Sequence, residues 1–182
     1  MSKKQDILDA ALKLFTENGA RATSTKSIAS EAETSEALIF RHFGSKEQLL
    51  EEIIKKGYQI AAREINPYLV DQTPQEYISN IIELPIILTK SNPDFWKMQS
   101  KLLPLNQLAS RYHANFMRPC FERLTDCFAQ LNYPHPELEA ELLLIHIEGV
   151  WKYFSVHDLG ITKQNALIAI MKQKYQLPQS EG

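Results

Sequence analysis

The stretch Thr25–Phe43, TKSIASEAETSEALIFRHF, decides the fold because it has the pattern of two short helices separated by a tight turn. On a helical wheel, at about 100° per residue, Ile39 and Phe43 fall on one side of the second helix. A hydrophobic core accounts for these two residues. It does not account for the residues of the other side, which are Ala37, Leu38, Arg41 and His42.

The segments before the turn provide matching apolar faces. A predicted helix at 4–18 carries an apolar stripe that ends at Phe15. A second predicted helix, at 25–32, has a face of small residues that includes Ile28. Two short helices that are joined by a turn of about three residues and braced by a third have the layout of a helix-turn-helix. In that motif the second helix enters the DNA major groove. The alternative is a packing corner of small residues in a helical bundle.

The rest of the chain also predicts helices. Glycine is scarce, with 6 residues among 182, and alternating β-branched segments with hairpin turns do not occur. Thr73 and Glu76 have the spacing of a capping box, and Thr162 is the predicted cap of the last helix. We therefore predict an all-α protein with helices near 4–18, 25–32, 35–42, 46–66, 74–91, 93–102, 105–131 (interrupted at Pro119), 136–158 and 162–176.

A change in helix length predicts two domains. The three short helices form one domain at residues 1–47, and the longer, more apolar helices form another at residues 48–182. The formal net charge of the chain is −2, and the basic and acidic residues of the first 46 positions balance. Binding to DNA must therefore come from the placement of charges and not from their total.

Residues 7–50 carry a set of matched positions with a defined spacing. They include Ile7, Ala10, Ala11, Leu14, Phe15, Gly19, Thr23, Ile28, Ala29, Ser35, His42, Phe43, Lys46, Glu47 and Leu49. With this pattern the segment resembles the N-terminal domain of the TetR/AcrR family of transcriptional regulators. The resemblance covers about a quarter of the chain, and it implies a three-helix helix-turn-helix DNA-binding domain followed by a larger helical domain for ligand binding and dimerisation.

The resemblance also implies roles for individual residues. Thr25 would give its hydroxyl and amide to a phosphate, and Lys26 would contact a phosphate or a guanine edge. The positions that face the bases are Glu36, Ala37, Leu38 and Arg41. The positions that face the DNA backbone are His42 and Lys46.

Three residues depart from the family pattern. Glu33 replaces a glycine in the turn, so that a non-glycine residue is expected to accept an unfavourable backbone angle there. Ala37 replaces a frequent glycine, which is harmless in a helix. Phe40 replaces a tyrosine whose hydroxyl meets a phosphate in the family. We therefore expect Phe40 to pack near the sugar-phosphate chain with one hydrogen bond lost.

The middle of the chain is rich in large apolar and aromatic side chains. We interpret these as the lining of a pocket for an apolar or aromatic small-molecule inducer, and the alternative for each of them is ordinary core. The predicted pocket residues are Phe95, Trp96, Met98, Tyr112, Phe116 and Met117.

The predicted helix at 136–158 is apolar on nearly all of its faces. Such a helix is buried all round, which in a small protein indicates a core on one side and a partner on the other. The resemblance implies that this partner is a second copy, in a two-fold dimer through the last two helices. The predicted interface residues are Leu142, Ile145, Gly149, Leu167, Ile170 and Met171.

These patterns together predict a ligand-responsive repressor that binds a palindromic operator in double-stranded DNA as a homodimer. The alternative is an all-helical small-molecule-binding or scaffold protein whose DNA reader has decayed. We expect a cytoplasmic protein, since neither a signal peptide nor a membrane span is visible. We also expect no cofactor, metal site or enzymatic activity, because no metal-ligand spacing or nucleophile–base pair occurs.

Overall fold

Helices are the regular elements of this structure, a computed structural model that describes residues 2–176. Within that range no residue lies in a strand, which confirms the all-α fold class. The helices are α1 (Lys3–Asn18), α2 (Thr25–Glu31), α3 (Glu36–Phe43), α4 (Lys46–Leu69), α5 (Pro74–Ser91), α6 (Pro93–Leu102), a 3₁₀ turn (Leu103–Leu105), α7 (Gln107–Gln130), α8 (Pro136–Val156) and α9 (Ile161–Lys174). None of the described helices combines the length and the apolar character that crossing a bilayer requires.

Two prolines lie inside continuous helices where the sequence predicted an end or a break. Helix α4 passes Pro67, and α7 runs through Pro119, so the predicted interruption at Pro119 is wrong. A proline within a helix deprives the carbonyl four residues earlier of its N–H partner. Here those carbonyls belong to Arg63 and Asn115. Both residues are exposed, which gives water access to replace the lost partner.

The predicted capping signals have different outcomes at the two helices concerned. Thr73 accepts a hydrogen bond from the backbone N–H of Glu76, and the Glu76 carboxylate accepts one from the backbone N–H of Thr73. The predicted capping box of α5 is therefore confirmed. The predicted cap at Thr162 is wrong, because α9 begins at Ile161 after Gly160, which has no side chain to contribute.

The chain divides into two compact units, the first of which comprises residues 1–60 and 94–113. In this unit α1, α2 and α3 pack against one another. The buried side chains of these three helices include Ile7, Phe15, Ile28 and Ile39. The Thr16 hydroxyl donates to the Asp94 carbonyl over 3.0 Å, and the Lys101 ammonium donates to the Thr16 carbonyl over 2.7 Å. Helix α1 is thus tied to α6.

An aromatic cluster continues the core of the first unit. The rings of Phe95 and Trp96 lie edge-on to Tyr58, with centroid distances of 5.3 and 5.9 Å, and the Tyr58 hydroxyl is 3.0 Å from Nδ1 of His113. Gly57 makes room for this packing, because a Cβ atom there would come within 2.0 Å of the Phe95 ring. A side chain at Gly57 would therefore displace the aromatic ring from the core.

The second unit comprises residues 61–93 and those from 114 onward. In it α5 packs against α8 and α9. The side chains buried there include Ile78, Ile81, Ile82, Leu143, Ile147 and Trp151. The ammonium of Lys172, on α9, is also buried and forms an ion pair with the carboxylate of Glu83, on α5. Because α8 uses one face for this core, its opposite face is left outside it.

Candidate DNA-binding surface

The turn between α2 and α3 closes with the hydrogen bonds of a Schellman motif. The N–H of Thr34 donates to the carbonyl of Ala29 over 2.9 Å, and the N–H of Glu33 donates to that of Ser30 over 3.2 Å. Glu33 occupies the position that requires a positive φ, and its φ is 47°. The expected backbone departure at Glu33 is therefore confirmed. A left-handed conformation at a non-glycine residue costs roughly 1–2 kcal/mol.

Helix α3 is held in a defined orientation by its two ends and its buried face. The Ser35 hydroxyl accepts from the backbone N–H of Leu38 over 3.2 Å, which starts the helix. Gly44, with a φ of 81°, ends it. Ile39 and Phe43 are buried in the first unit. These contacts fix which side of α3 faces away from the core.

That outer side of α3 is open. Ala37, Arg41 and His42 are exposed, Leu38 is partly buried, and the Phe40 side chain keeps 47% of its surface accessible. The face therefore mixes apolar groups with a guanidinium and an imidazole. A DNA major groove presents the corresponding partners, namely thymine methyl groups, the acceptors of guanine and the flanking phosphates.

The N-terminus of α2 lies in contact with the N-terminus of α3. Ser24 caps α2 by accepting from the backbone N–H of Ser27 over 3.0 Å, and Lys26 is exposed. The hydroxyl of Thr25 donates to the Glu36 carboxylate over 2.5 Å. This hydrogen bond joins the two helices, and it occupies the hydroxyl proton that the sequence assigned to a phosphate. The backbone amide of Thr25 lies in the first turn of α2, where N–H groups have no partner within the helix.

Lys46, the first residue of α4, has contacts that the sequence did not predict. Its ammonium donates to the carbonyls of Ala20 and Thr23, each over 2.9 Å. An ammonium carries three hydrogens, so one remains for another acceptor. These bonds join residues that are 26 and 23 positions apart, and no local pattern could have revealed them. Lys46 thus ties α4 to the segment that precedes α2.

The six predicted pocket residues divide between the two units. Four belong to the first unit, namely Phe95, Trp96, Met98 and Tyr112. The first three of these are buried and Tyr112 is half-buried. Two belong to the second unit and are half-buried, namely Phe116 and Met117. A single pocket formed by all six stays a prediction.

Gln99, on α6, is a candidate that the sequence analysis missed. Its side chain is completely buried, and within the described part of the chain neither atom of its amide has a hydrogen-bond partner. A buried polar group without a partner costs about 1–3 kcal/mol, and such groups in native proteins call for an explanation. The sequence did contain one indication that Gln99 faces the core. Gln99 follows Trp96 by three residues and Phe95 by four, which places all three on the same helix face.

The predicted dimer residues lie at the outer surface of α8 and α9. Leu142 and Ile145 expose 47% and 59% of their surface, Gly149 is exposed, and Ile170 exposes 53%. Leu167 and Met171 are half-buried. The apolar surface of α8 extends further in both directions, to Leu138 and Val156. This set of exposed α8 residues, with the spacing of one helix face, is called the α8 stripe below.

Comparison with known proteins identifies the N-terminal part of the chain. Residues 7–53 match the model of a protein family described as bacterial regulatory proteins, tetR family. The uncharacterised HTH-type transcriptional regulator YvkB of Bacillus subtilis strain 168 is 50% identical over 50 residues, which are 28% of this chain and 26% of that protein. The match thus spans about a quarter of the curated relative's length. This N-terminal segment therefore belongs to the tetR family.

Solved structures share the fold of nearly the whole chain. A TetR-like transcriptional regulator from Rhodococcus sp. RHA1 superposes with a TM-score of 0.79 at 19% identity, over 96% of this chain and 95% of that one. The structure of AibR in complex with isovaleryl coenzyme A and operator DNA superposes with a TM-score of 0.71 at 18% identity, over 93% and 97%. At these identities the likeness establishes the fold and leaves the ligands of this chain open.

Proposed function

We propose that this chain is a cytoplasmic, ligand-responsive transcriptional repressor that binds a palindromic operator as a homodimer. The observation that carries the proposal is the outer face of α3. Its Phe40, Arg41 and His42 are exposed although the opposite face is fixed in a core, and the segment belongs to a family of DNA-binding regulators. Residues 1–47 would be the DNA-binding domain, and residues 48–182 the ligand-binding and dimerisation domain.

Sequence reading is assigned to the first turns of α3. In the major groove, Ala37 and Leu38 contact thymine methyl groups, and Arg41 forms two hydrogen bonds with O6 and N7 of guanine. Phe40 packs against the sugar-phosphate chain beside them. Glu36 accepts from a cytosine amine, or it keeps its hydrogen bond with Thr25 and positions α2. Each specific base contact contributes about 1–3 kcal/mol of discrimination.

Contacts with phosphates position α3 in the groove. Lys26 and His42 are exposed on either side of the turn, and Lys46 retains one ammonium hydrogen beyond its bonds to the two carbonyls. Thr25 provides its backbone amide, and its hydroxyl becomes available when it leaves Glu36. These contacts carry no sequence information but supply most of the affinity.

Dimerisation is assigned to the α8 stripe together with the exposed side chain of Ile170. A two-fold interface uses the same patch on both copies. The space around Gly149 is open in this chain, and the absence of a side chain there would let the backbone of a symmetry mate approach closely. Helix-turn-helix dimers bind half-sites about 34–36 Å apart. In the dimer, two α3 helices that each bind weakly would therefore bind the two half-sites of a palindromic operator together.

Ligand control is assigned to the predicted pocket residues. A ligand shifts the equilibrium between two dimer arrangements only if it binds one of them more tightly, and the arrangement it favours here is the one that does not match the half-sites. AibR has been crystallised in complex with isovaleryl coenzyme A and operator DNA, so a protein of this fold can bind both kinds of partner. The orphaned amide of Gln99 gives a buried pocket one polar group to orient a ligand.

A second candidate is a helical ligand-binding or scaffold protein that no longer reads DNA. Two observations favour it, namely the positive φ of Glu33 in the turn and the missing hydroxyl at Phe40. The two candidates differ in one measurable property, which is salt-dependent binding to specific DNA.

The test measures binding of the purified full-length chain to duplexes from the upstream region of its own gene, against duplexes of shuffled sequence, over a series of salt concentrations. A repressor binds one duplex in preference to its shuffled control, and the logarithm of its affinity falls linearly with the logarithm of the salt concentration. Failure to bind any upstream duplex at low salt would favour the scaffold candidate.

A further inference from the structure

A cavity of about 310 Å³ lies within the first unit, where the end of α1, the start of α4 and the end of α6 meet. Its inner wall is apolar. The residues of this wall are Phe15, Leu50, Met98 and Leu102. The volume is at the lower end of the range of about 300–1,000 Å³ that ligand pockets have. A ligand of this cavity would therefore be small and largely apolar.

The rim of the cavity is cationic. Arg21, Lys46 and Lys101 line it together with one carboxylate, Glu47, which leaves an excess of two positive charges. The ammonium groups of Lys46 and Lys101 donate to backbone carbonyls. Carbonyls are neutral and leave the charges uncompensated. In the described part of the chain, none of the three cations forms an ion pair with a carboxylate.

We infer that this cavity binds a small amphipathic anion, an alkyl carboxylate whose chain lies on the apolar wall and whose head group is held by Lys101 and Lys46. Both parts of the ligand are needed. Contact with the apolar wall contributes about 25 cal/mol of binding free energy for each Å² of apolar surface that is removed from water. The uncompensated pair of ammonium groups attracts the anionic head group. A DNA phosphate satisfies the rim but has no apolar chain for the wall.

The cavity has a direct structural connection to the candidate DNA-binding surface. Lys46 lines it and at the same time holds the carbonyls of Ala20 and Thr23, and Thr23 lies two residues before Thr25. A carboxylate that draws the Lys46 ammonium toward the cavity weakens both hydrogen bonds and releases the segment in front of α2. The expected consequence, which rests on the proposed function, is weaker binding of operator DNA.

Binding is tested without DNA, by calorimetric titration of the full-length chain with octanoate. Two ligands with the same alkyl chain serve as controls, 1-octanol without charge and octyltrimethylammonium with the opposite charge. We expect octanoate to bind one site per chain with at least about fivefold higher affinity than octanol and the cation to bind more weakly than both. Equal affinities for the three would overturn the proposal.

Two substitutions locate the site. Asn106 lines the cavity, and its side-chain oxygen accepts from the backbone N–H of Ala109 over 2.9 Å. Asn106→Asp keeps this cap, because Asn and Asp cap helices equally well, but it adds a negative charge to the rim. We expect about fivefold weaker octanoate binding in Asn106→Asp and in Lys101→Met. The matched control is Lys97→Met, an exposed lysine of α6 outside the lining.

Unchanged octanoate affinity in both rim variants would place the ligand elsewhere and overturn the proposal. So would a Lys101→Met variant that binds octanoate normally and loses affinity only for DNA, since the rim would then serve a phosphate. Because the titration contains no DNA, its result stands whether or not the chain proves to be a repressor. The coupling is measured afterwards, as the decrease in operator affinity at saturating octanoate.

Discussion

Two exposed helix faces in this chain have different composition, although both leave large apolar side chains outside the core. On α3, the 47% exposed Phe40 is followed directly by Arg41 and His42. On α8, the stripe from Leu138 to Val156 includes Leu142, Ile145 and Gly149, and the cation that interrupts it, Lys152, is paired with Glu148 over 3.3 Å.

The difference indicates different partners. A face that combines cations with apolar groups suits the DNA major groove, which presents thymine methyl groups between two rows of phosphates. A mainly apolar face whose cation is already paired with a carboxylate suits a surface that is equally apolar, and a second copy of the same helix provides one. Exposed apolar area alone therefore does not distinguish the two surfaces, whereas the side chains interleaved with it do.

The strongest test of this comparison places a charge in the stripe. In Ile145→Glu the carboxylate would be buried without a partner at the centre of the proposed interface. Burying an unpaired charge there costs about 3 kcal/mol or more, which weakens the dimer by over about 100-fold. Sedimentation equilibrium measures the dimer dissociation constant, and operator affinity is expected to fall with it.

The matched control is Ile60→Glu, which makes the same change at an isoleucine of α4 with 42% of its surface exposed. We expect it to leave the dimer constant unchanged. An Ile145→Glu variant that remains a dimer at the concentrations of the parent protein would show that the α8 stripe is not the interface.

The next test separates base reading from backbone contact on α3. Leu38→Ala removes the proposed contact with a thymine methyl group, so operator binding weakens by about 1–3 kcal/mol, while binding to shuffled DNA stays unchanged. The comparison variant is His42→Ala, on the same helix, which removes a proposed phosphate contact and weakens both complexes equally. Competition titrations with the two duplexes measure the ratio. Equal losses for Leu38→Ala on both duplexes would remove its base-reading role.

Local signals were enough to predict most of the fold. The capping box at Thr73 and the apolar periodicity placed the helices, because both act within a few residues of the chain. The errors occurred where solvent or the absence of a side chain decided the outcome. Pro119 stays inside α7, where the residue that loses its N–H partner, Asn115, is exposed to solvent, and α9 starts after Gly160 without the predicted cap.

The candidate site was predictable in its outline but not in its hydrogen bonds. The wheel assigned Ile39 and Phe43 to the core, and both are buried. It could not show that Thr25 already donates to Glu36, or that Lys46 holds two distant carbonyls. Such contacts depend on how segments far apart in sequence pack, and a helical periodicity contains no information about that.

A smaller effect is expected at Phe40. Phe40→Tyr adds the hydroxyl that the family pattern provides for a phosphate. At a residue that is 47% exposed, one further hydrogen bond contributes about 1 kcal/mol, or about fivefold in affinity. The gain should be the same for operator and shuffled DNA, because every duplex presents the phosphate. It should also leave the salt dependence unchanged, since no charge is added. Fluorescence anisotropy titrations on both duplexes measure it, and a gain confined to the operator would contradict the phosphate assignment.

The smallest effect is expected from Glu33→Gly in the turn before α3. Glycine accepts the φ of 47° without the penalty of roughly 1–2 kcal/mol that a side chain causes, but it loses up to about 1 kcal/mol through the greater freedom of the unfolded chain. The balance is a stabilisation of between zero and about 1.5 kcal/mol, measured by urea unfolding with an unchanged slope. The matched control is Asp71→Gly, at an exposed residue with a φ of 56° outside the helix-turn-helix. Both variants should gain stability, but only Glu33→Gly should also tighten DNA binding, because it removes a negative charge next to the face that meets phosphates. Equal DNA affinities in the two variants would mean that Glu33 affects only the stability of the turn. The negative charge of Glu33 would then have no influence on DNA binding, which would depend on the side chains of α3 alone.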